Sequence, residues 1–540
     1  MRVRNPGVLG ALILIVAEGR ASAEMPGIAV RGGSTIRLGD SDSVTRFGAF
    51  QASIRNDSAD RASFELTLLS SVGPYGRALR VSVSRTLVLE PGAQANVQLV
   101  AAVGLDRSHP ASGRIELMHS GPYDDSVSFS VAERPFAWTS SVAKFGSPLF
   151  ASGDVPSDWR SLAALTHLWM SPADFDTAPP GFRRTLGEWL AQGGRLRIVV
   201  DGSTPLPSGL PPEGTVGLGS VDPLRSFEMA PQIELTRRTW FMTYNGSPEP
   251  NHEFLALVGR PSMRWLLIVF LGAFGILVGP INLAWLAPRA RRIRAIWTTP
   301  LLSVGSGFAL IALLLSQEGL GGRGERRVAV RLVPSEGLEV IFQDQISRTG
   351  LLLSSSFELP KDSLLEIIPI DDPSEVRFDV AGSRCSGGFF SSVSTQAQRI
   401  ELVRPSRAGL DVDWTGDKPK LVSRLPVRVT RVHWLDDAGR VWRADDVAPG
   451  ARVELVAVEV DMEVLLVNRM ATFTTFTKDR FLQPIEPGTF IAEARDLGSY
   501  VAPTLEGIEW NTVGVIVGSV GELAKRERGA AGESGDGGER

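Results

Sequence analysis

The sequence predicts a multidomain α+β membrane protein, built as an N-terminal β-sandwich, a small α/β unit, a transmembrane helical hairpin and a C-terminal all-β sandwich region. Three observations predict it. Residues 265–287 and 296–316 are apolar runs without a charge, separated by the basic turn Pro288-Arg-Ala-Arg-Arg-Ile-Arg-Ala295. Each run is long enough to cross a hydrocarbon core of about 30 Å as a helix, which takes about 20 residues. On both sides of this hairpin, apolar and polar residues alternate over short stretches bounded by turn residues, the pattern of half-buried strands. Between residues 165 and 202 the pattern changes to strand, helix, strand.

The amino terminus decides which side of the membrane the large blocks occupy. Arg2 and Arg4 precede an apolar stretch over 8–17 that is too short to span, and Ala21-Ser22-Ala23 stands before Glu24. This is the pattern of a secretory signal peptide over 1–23. No Cys lies near residue 24, so no lipoprotein anchor is expected. In the hairpin turn, Arg289, Arg291, Arg292 and Arg294 stand without an acid, which argues for the cytoplasm. Arg260, Arg264, Arg323, Arg326 and Arg327 also flank the helices, but Glu253, Glu318 and Glu325 accompany them. They belong to long domains, which cross largely regardless of charge. The expectation is a two-pass protein of the bacterial inner (cytoplasmic) membrane, with 24–263 and 317–540 on the periplasmic side and only 288–295 facing in.

A length of 540 residues suggests three or four domains. The net charge is −4, and 1–23 holds three Arg against one Glu, so the exported blocks are more acidic still. That argues against a nucleic-acid partner. The single Cys, Cys385, cannot form an intramolecular disulfide. The exported parts must therefore be held by ordinary apolar cores, which suits a bacterial envelope better than a eukaryotic surface.

Residues 24–133 read as all-β. A strand over 47–54 leads into Asn56-Asp57-Ser58-Ala59-Asp60, and 63–69 alternates Phe64, Leu66 and Leu68. Residues 77–89 are β-rich, Glu90-Pro91-Gly92 is a turn, and 96–103 and 113–118 follow. Strands at this spacing suggest an antiparallel sandwich. Their order with the turns resembles the immunoglobulin-like modules of bacterial surface proteins.

In 134–225 a short apolar strand, 165–170, precedes the loop Ser171-Pro-Ala-Asp174. Pro179-Pro180 suits the first turn of a helix. Phe182, Leu186, Trp189 and Leu190 then share one face, and Gly193-Gly194 stops the helix before a buried strand at 195–200. Such a β–α–β unit takes a right-handed crossover in a parallel sheet. Leu168-Trp-Met-Ser-Pro-Ala-Asp174 and Leu186-Gly-Glu-Trp-Leu-Ala-Gln-Gly-Gly-Arg-Leu196 resemble the class I glutamine amidotransferase-like, flavodoxin-type domain of many uncharacterised bacterial exported membrane proteins. Val278-Gly-Pro-Ile-Asn282, Trp297-Thr-Thr-Pro300, Leu425-Pro-Val and Asp446-Val-Ala-Pro-Gly450 resemble those proteins too. The resemblance implies a flavodoxin-like domain over 134–225. It should be a reduced one, because the stretch before Leu165 is short for a full sheet.

Residues 226–263 read as a linker. From 317 to 523 the chain returns to β, with strands at 327–333 and 338–342 and a strand pair or bent strand over 350–359. A hairpin follows, from 425–434 through Asp436-Asp437-Ala438-Gly439 to 440–443, and further strands stand at 451–459 and 463–467. The low-complexity tail, 524–540, is expected to be disordered.

Chemistry is sparse. An active class I amidotransferase needs a Cys on a strand-to-helix turn with His and Glu nearby. Cys385 lies in a different block, so glutaminase chemistry is not expected. His109, His119, His167, His252 and His433 are scattered without metal-ligand spacing. Asp371-Asp372 and Asp436-Asp437 sit beside Pro or Gly and read as turn chemistry, and Asp445-Asp446 has no partner motif. There is no phosphate loop, nucleophile elbow or zinc helix. No catalytic, cofactor or metal residue is therefore named, and no cofactor is expected. Gly321-Gly-Arg-Gly324 lacks the Lys-Ser/Thr of a phosphate loop and reads as the exit from the second helix.

The hairpin offers more. Gly275-x-x-x-Gly279 and Ser303-x-x-x-Gly307 are small-residue patterns that let helix backbones approach closely in lipid. They either pack the two helices together or receive another membrane subunit. The absence of charge within the spans argues against a transporter or channel. Two functional readings follow. One is a non-enzymatic, membrane-anchored envelope protein, with the lipid bilayer and another envelope membrane protein as partners. The other is a carbohydrate-binding protein or hydrolase, with its site on the C-terminal β region around Asp residues and Trp434 or Trp442. A groove lined by Trp and carboxylates would separate them.

Overall fold

A computed structural model describes residues 22–25, 28–32, 47–57, 59–72, 79–102, 112–119, 124–130, 137–138, 158–163, 167–200, 207, 210, 214–224, 254, 256–258, 264–318, 321–352, 354–368, 370, 377–381, 383–392, 394–414 and 418–522. The signal-peptide stretch up to residue 21, most of the 226–263 linker, Asp371-Asp372 and the 524–540 tail lie outside them.

The fold is mostly β. In the N-terminal block, Ser22–Met25, Ile28–Gly32, Phe47–Asn56 and Gln94–Ala102 form a four-stranded antiparallel sheet. The side chain of Asn56 donates to Asp60 O at 2.9 Å and Leu89 O at 3.0 Å, which ties the turn after its strand to the neighbouring sheet. That second sheet runs, in order, Phe357–Glu358, Arg384–Gly387, Arg377–Ala381, Leu79–Leu89, Ala62–Val72, Ser112–His119 and Asp124–Ser130. It draws strands from both sides of the hairpin. Arg377–Ala381 lies parallel to Leu79–Leu89, with Arg377 opposite Arg80. Main-chain hydrogen bonds thus join the N- and C-terminal blocks.

The α/β unit is a sheet of β1 (Ala137–Trp138), β2 (His167–Met170), β3 (Arg195–Val199), β4 (Gly214–Val216) and β5 (Gly219–Leu224), in the order β4-β5-β3-β2-β1. All neighbours are parallel except β4 with β5. Helix α1 (Pro172–Thr177) opens on a capping box, in which Ser171 Oγ accepts from Asp174 N and the Asp174 carboxylate accepts from Ser171 N. Helix α2 (Pro180–Ala191) buries Phe182, Leu186, Trp189 and Leu190, the face its spacing predicts. The chain turns at Gly193, φ 116°, and passes so close under the Trp189 indole that no Cβ fits at Gly194.

The hairpin consists of α3 (Arg264–Ile276), which continues in wider turns through Leu277–Leu286, and α4 (Ala295–Glu318). Pro280 explains the widening. It has no N–H, and its ring clashes with the carbonyl four residues back. The turns open to i→i+5 spacing, as in Ala287 N donating to Asn282 O at 2.7 Å. Ile268–Leu286 and Arg292–Leu313 are long and apolar enough to cross a membrane, and their side chains turn outward, Trp285 at 83% and Trp297 at 81% exposure.

The chain leaves α4 through Gly321 and Gly322, both at positive φ. Gly321 N donates to Leu351 O and Gly350 N to Gly321 O, each at 3.0 Å. A Cβ at Gly321 would run into the Gly507 backbone, and one at Gly322 into the Arg348 carbonyl. This double-glycine exit leads straight into the largest sheet.

That twelve-stranded sheet holds β6 (Gly322–Val333), β7 (Leu338–Thr349), β8 (Ser363–Ile368), β9 (Thr395–Pro405), β10 (Val429–Leu435), β11 (Val441–Val447), β12 (Val456–Val458), β13 (Thr489–Ala494) and β14 (Ile508–Glu522). Their order is β8-β9-β7-β6-β14-β13-β10-β11-β12, and Leu410–Asp413, Lys420–Ser423 and Arg452–Glu454 attach off this path. On one face Val330, Val432, Phe490 and Ile516 pack in a core of their own. On the other face the apolar core is continuous with the α/β unit, for Trp189, Leu190 and Leu196 share a cluster with Phe342, Leu364 and Val515. Each large side chain buried there contributes roughly 1.5–3 kcal/mol.

Two expectations are corrected. Residues 463–467 are not a strand but the middle of helix α5 (Met462–Met470), so the C-terminal region is not all-β. The Asp461 side chain caps its first turn, and Met462, Leu466 and Met470 bury one face. A second helix, α6 (Thr475–Phe481), is capped by Thr474. Among the described residues of 350–359, strand structure is confined to Phe357–Glu358 and a bridge at Leu351, since the serines at 354–356 bond one another locally.

Candidate functional site

The small residues of the hairpin are not where its helices meet. A Cβ added at Gly275, Gly279 or Gly307 has nothing within 4 Å among the described residues, and Ser303 is exposed. The two helices meet instead near the basic turn, where Asn282, 1% exposed, donates from Nδ2 to Thr299 Oγ1 at 3.0 Å. Arg289, Arg291, Arg292 and Arg294 all lie in the connecting turn Arg289–Arg294, with Arg292 and Arg294 exposed.

Trp434 and Trp442 do come together, joined by Trp414. The ring centroids of Trp414 lie 6.0 Å from Trp434 and 5.8 Å from Trp442, at interplanar angles of 61° and 88°. Trp434 is buried, and the Arg440 guanidinium covers Trp442 at 5.3 Å. A sugar platform needs an open ring face, and edge-to-face packing uses those faces. The nearby carboxylate is equally engaged. Asp436 accepts from Ala438 N at 3.0 Å, Arg440 N at 2.8 Å, Arg440 Nε at 2.9 Å and Trp442 Nε1 at 2.9 Å. Burial alone would raise its pKa, but these donors outweigh burial and hold it below the usual value. Asp436 is turn chemistry. Asp445 pairs with Arg431 and Arg443, and Asp446 with Arg428.

The most developed polar site carries no motif. It lies on the face of the large sheet that α6 and the end of α2 cover. Across β8, β9, β7 and β6, strand register places Glu366, Arg399, Asp344 and Arg327 side by side, a row of alternating charge. Arg399 donates to Asp344 Oδ1 at 3.1 Å, Glu366 Oε2 at 2.7 Å and Thr474 Oγ1 at 2.7 Å, and lies 4.0 Å over the Phe476 ring. Thr474 donates from N and Oγ1 to Asp344 Oδ2 at 3.0 and 2.7 Å, so the cap of α6 is fastened to the row. Arg327 donates to Glu325 at 2.9 Å and Thr472 at 3.1 Å.

Two residues along β9, Glu401 accepts from Gln192 Nε2 at the end of α2. Arg480 of α6 donates to Gln192 O at 2.8 Å. Burial pushes Glu401 up to about 7, with Glu366 adding to the rise and Arg399, Arg480 and Gln192 opposing it. The arrangement clamps α2, α6 and the sheet together. Among the described residues, no group of three His, Cys, Asp or Glu is placed to hold a metal ion.

No family model matches the chain, and no curated protein matches it. Solved structures give only faint likenesses. A β-glucosidase from Listeria innocua is 12% identical at a TM-score of 0.15, over 21% of this chain and 16% of its own. The Amycolatopsis orientalis exo-chitosanase CsxA is 12% identical at 0.15, over 32% and 22%. A yeast delta-COP-I mu-homology domain is 9% identical at 0.19, over 37% and 95%. This chain thus spans less than a quarter of the first two. At such scores none lends it a fold or an activity.

Proposed function

We propose that this chain is a non-enzymatic envelope protein, anchored in the bacterial inner membrane by its hairpin and holding its large blocks on the periplasmic side for protein–protein interaction. One observation carries the reading. The small-residue faces around Gly275, Gly279 and Gly307 meet nothing within 4 Å of an added Cβ among the described residues, and such faces serve close approach of a helix in lipid. The natural occupant is a helix of another envelope membrane protein. The N-terminal strands fit an immunoglobulin-like sandwich. The parallel β2-α2-β3 unit fits a reduced flavodoxin-type, amidotransferase-like domain. Glutaminase chemistry has no support, for Cys385 is buried beside Phe357 and Phe390, and burial pushes its thiol up to about 12. The carbohydrate or hydrolase alternative gains nothing from a Trp cluster whose faces are packed.

Topology is the first test. Reporter fusions after Val200 and after Gly450 should both be exported, and one at Arg292 should be cytoplasmic. A cytoplasmic signal after either of the first two overturns the reading.

A further inference from the structure

The wall between the α/β unit and the large sheet holds unequal charge. Its carboxylates are Glu325, Asp344, Glu366 and Glu401, with Glu486 at its margin, and its guanidiniums are Arg327, Arg331, which faces Glu486, Arg399 and Arg480. Arg327 is paired with Glu325, and Arg399 is shared by Asp344 and Glu366. Arg480 faces Glu401 but donates to Gln192 O and lies 5.0 Å over Phe476. The remaining charged neighbours of Arg480 are Arg195, at the start of β3, and Asp479 on α6, both exposed. Glu401 has no guanidinium hydrogen-bonded to it among the described residues. A dry wall resolves such an excess by holding a proton.

Gln192 identifies the holder. Its Nε2 donates to Glu401 Oε2, while its own Oε1 is buried without a donor. A protonated carboxyl both accepts from an amide N–H and offers an O–H, the kind of donor that Gln192 Oε1 lacks. We propose that Glu401 is a proton-operated latch: protonated, it seats the end of α2 and the α6 turn against the sheet, and ionised, it lets them open. The shared apolar core keeps the unit from leaving, so the opening is local to about residues 190–194 and 472–483.

Direction follows from linkage. The folded value of Glu401, about 7, lies above the ordinary 4.5. Below about 4.5 both forms carry the proton and nothing changes. From there to about 7 the seated form weakens, by up to about tenfold per pH unit, and above that it levels off.

The test is hydrogen exchange on the full chain in detergent micelles, corrected for the intrinsic pH dependence of exchange. Peptides covering 186–196 and 472–483 should open roughly ten- to a hundredfold more at pH 8 than at pH 5, while a peptide over 441–458 should not follow. Glu401→Gln keeps a neutral amide and should flatten the dependence. Arg480→Gln removes the cation facing Glu401 and should move the midpoint to higher pH. Flat exchange in the unchanged chain, or an undiminished pH dependence in Glu401→Gln, overturns the latch.

Discussion

At the scale of single residues, two buried titratable groups bias the molecule in opposite directions. His433, on β10, is 4% exposed, and its Nδ1 has no hydrogen-bond partner among the described residues. Burial lowers its pKa to about 4, with Arg431, Arg443 and Arg469 adding to the drop. The folded chain therefore refuses a proton that the unfolded chain accepts. Stability is lost as pH falls from about 6.5 to about 4, and the loss is complete below that. Glu401 acts the other way, weakening its surroundings as pH rises from about 4.5 to about 7. Between about pH 4.5 and 6.5 the two limbs oppose one another and nearly cancel. Replacing His433 with Gln should remove the acid limb. Between pH 7 and pH 4 the urea midpoint of His433→Gln should gain on that of the unchanged chain by an amount worth about 1–3 kcal/mol, because the Glu401 limb then acts unopposed. Equal pH dependence of the two chains would show that His433 does not set the acid limb.

Structural elements divide by whether their determinants are local. The space around Gly279 gives a sharp expectation. A Cβ added there meets nothing within 4 Å among the described residues, so Gly279→Leu should leave the isolated protein folded and strip away a co-purifying membrane subunit. Leu267→Ile should do neither. Unfolding of the isolated Gly279→Leu protein would return the motif to internal packing. Helix α2 was legible in sequence because its Pro start, apolar face and Gly stop lie within a dozen residues. The turn at Asp436 and the glycine exit from α4 were legible for the same reason. Helix α5 was not. Val464 and Val467 are β-branched and exposed, which mimics a strand, while the features that decide for helix are the Asp461 cap and the Met462, Leu466, Met470 spacing. The charged wall was illegible in another way. Arg399 and Glu401 occupy alternate positions on β9, where polar residues ordinarily face water. What buries them comes from elsewhere in the chain: α6, 75 residues later, over Arg399, and the end of α2, 209 residues earlier, against Glu401.

For the whole molecule, the same long-range packing settles how it comes apart. The core under α2 is not private to the α/β unit. Trp159 and Trp189, at most 2% exposed, share a cluster with Phe342 of β7, Val515 of β14 and Phe481 of α6. Gln483 Nε2 also donates to Leu218 O at 2.7 Å across the same boundary. A unit that buried its apolar face only against itself would unfold alone. This one leaves the large sheet with an uncovered apolar face if it goes, so neither part retains a complete core. The expected behaviour is a single transition, in which amides of 195–199 and of 338–349 lose protection at the same urea concentration. Trp189→Ala should destabilise both segments together, by about 3–5 kcal/mol, the cost of emptying an aromatic site that cannot collapse. Were 195–199 to unfold first, with 338–349 still protected, the contacts across the boundary would be a loose docking, and the charged wall at Glu401 would be what holds the two together.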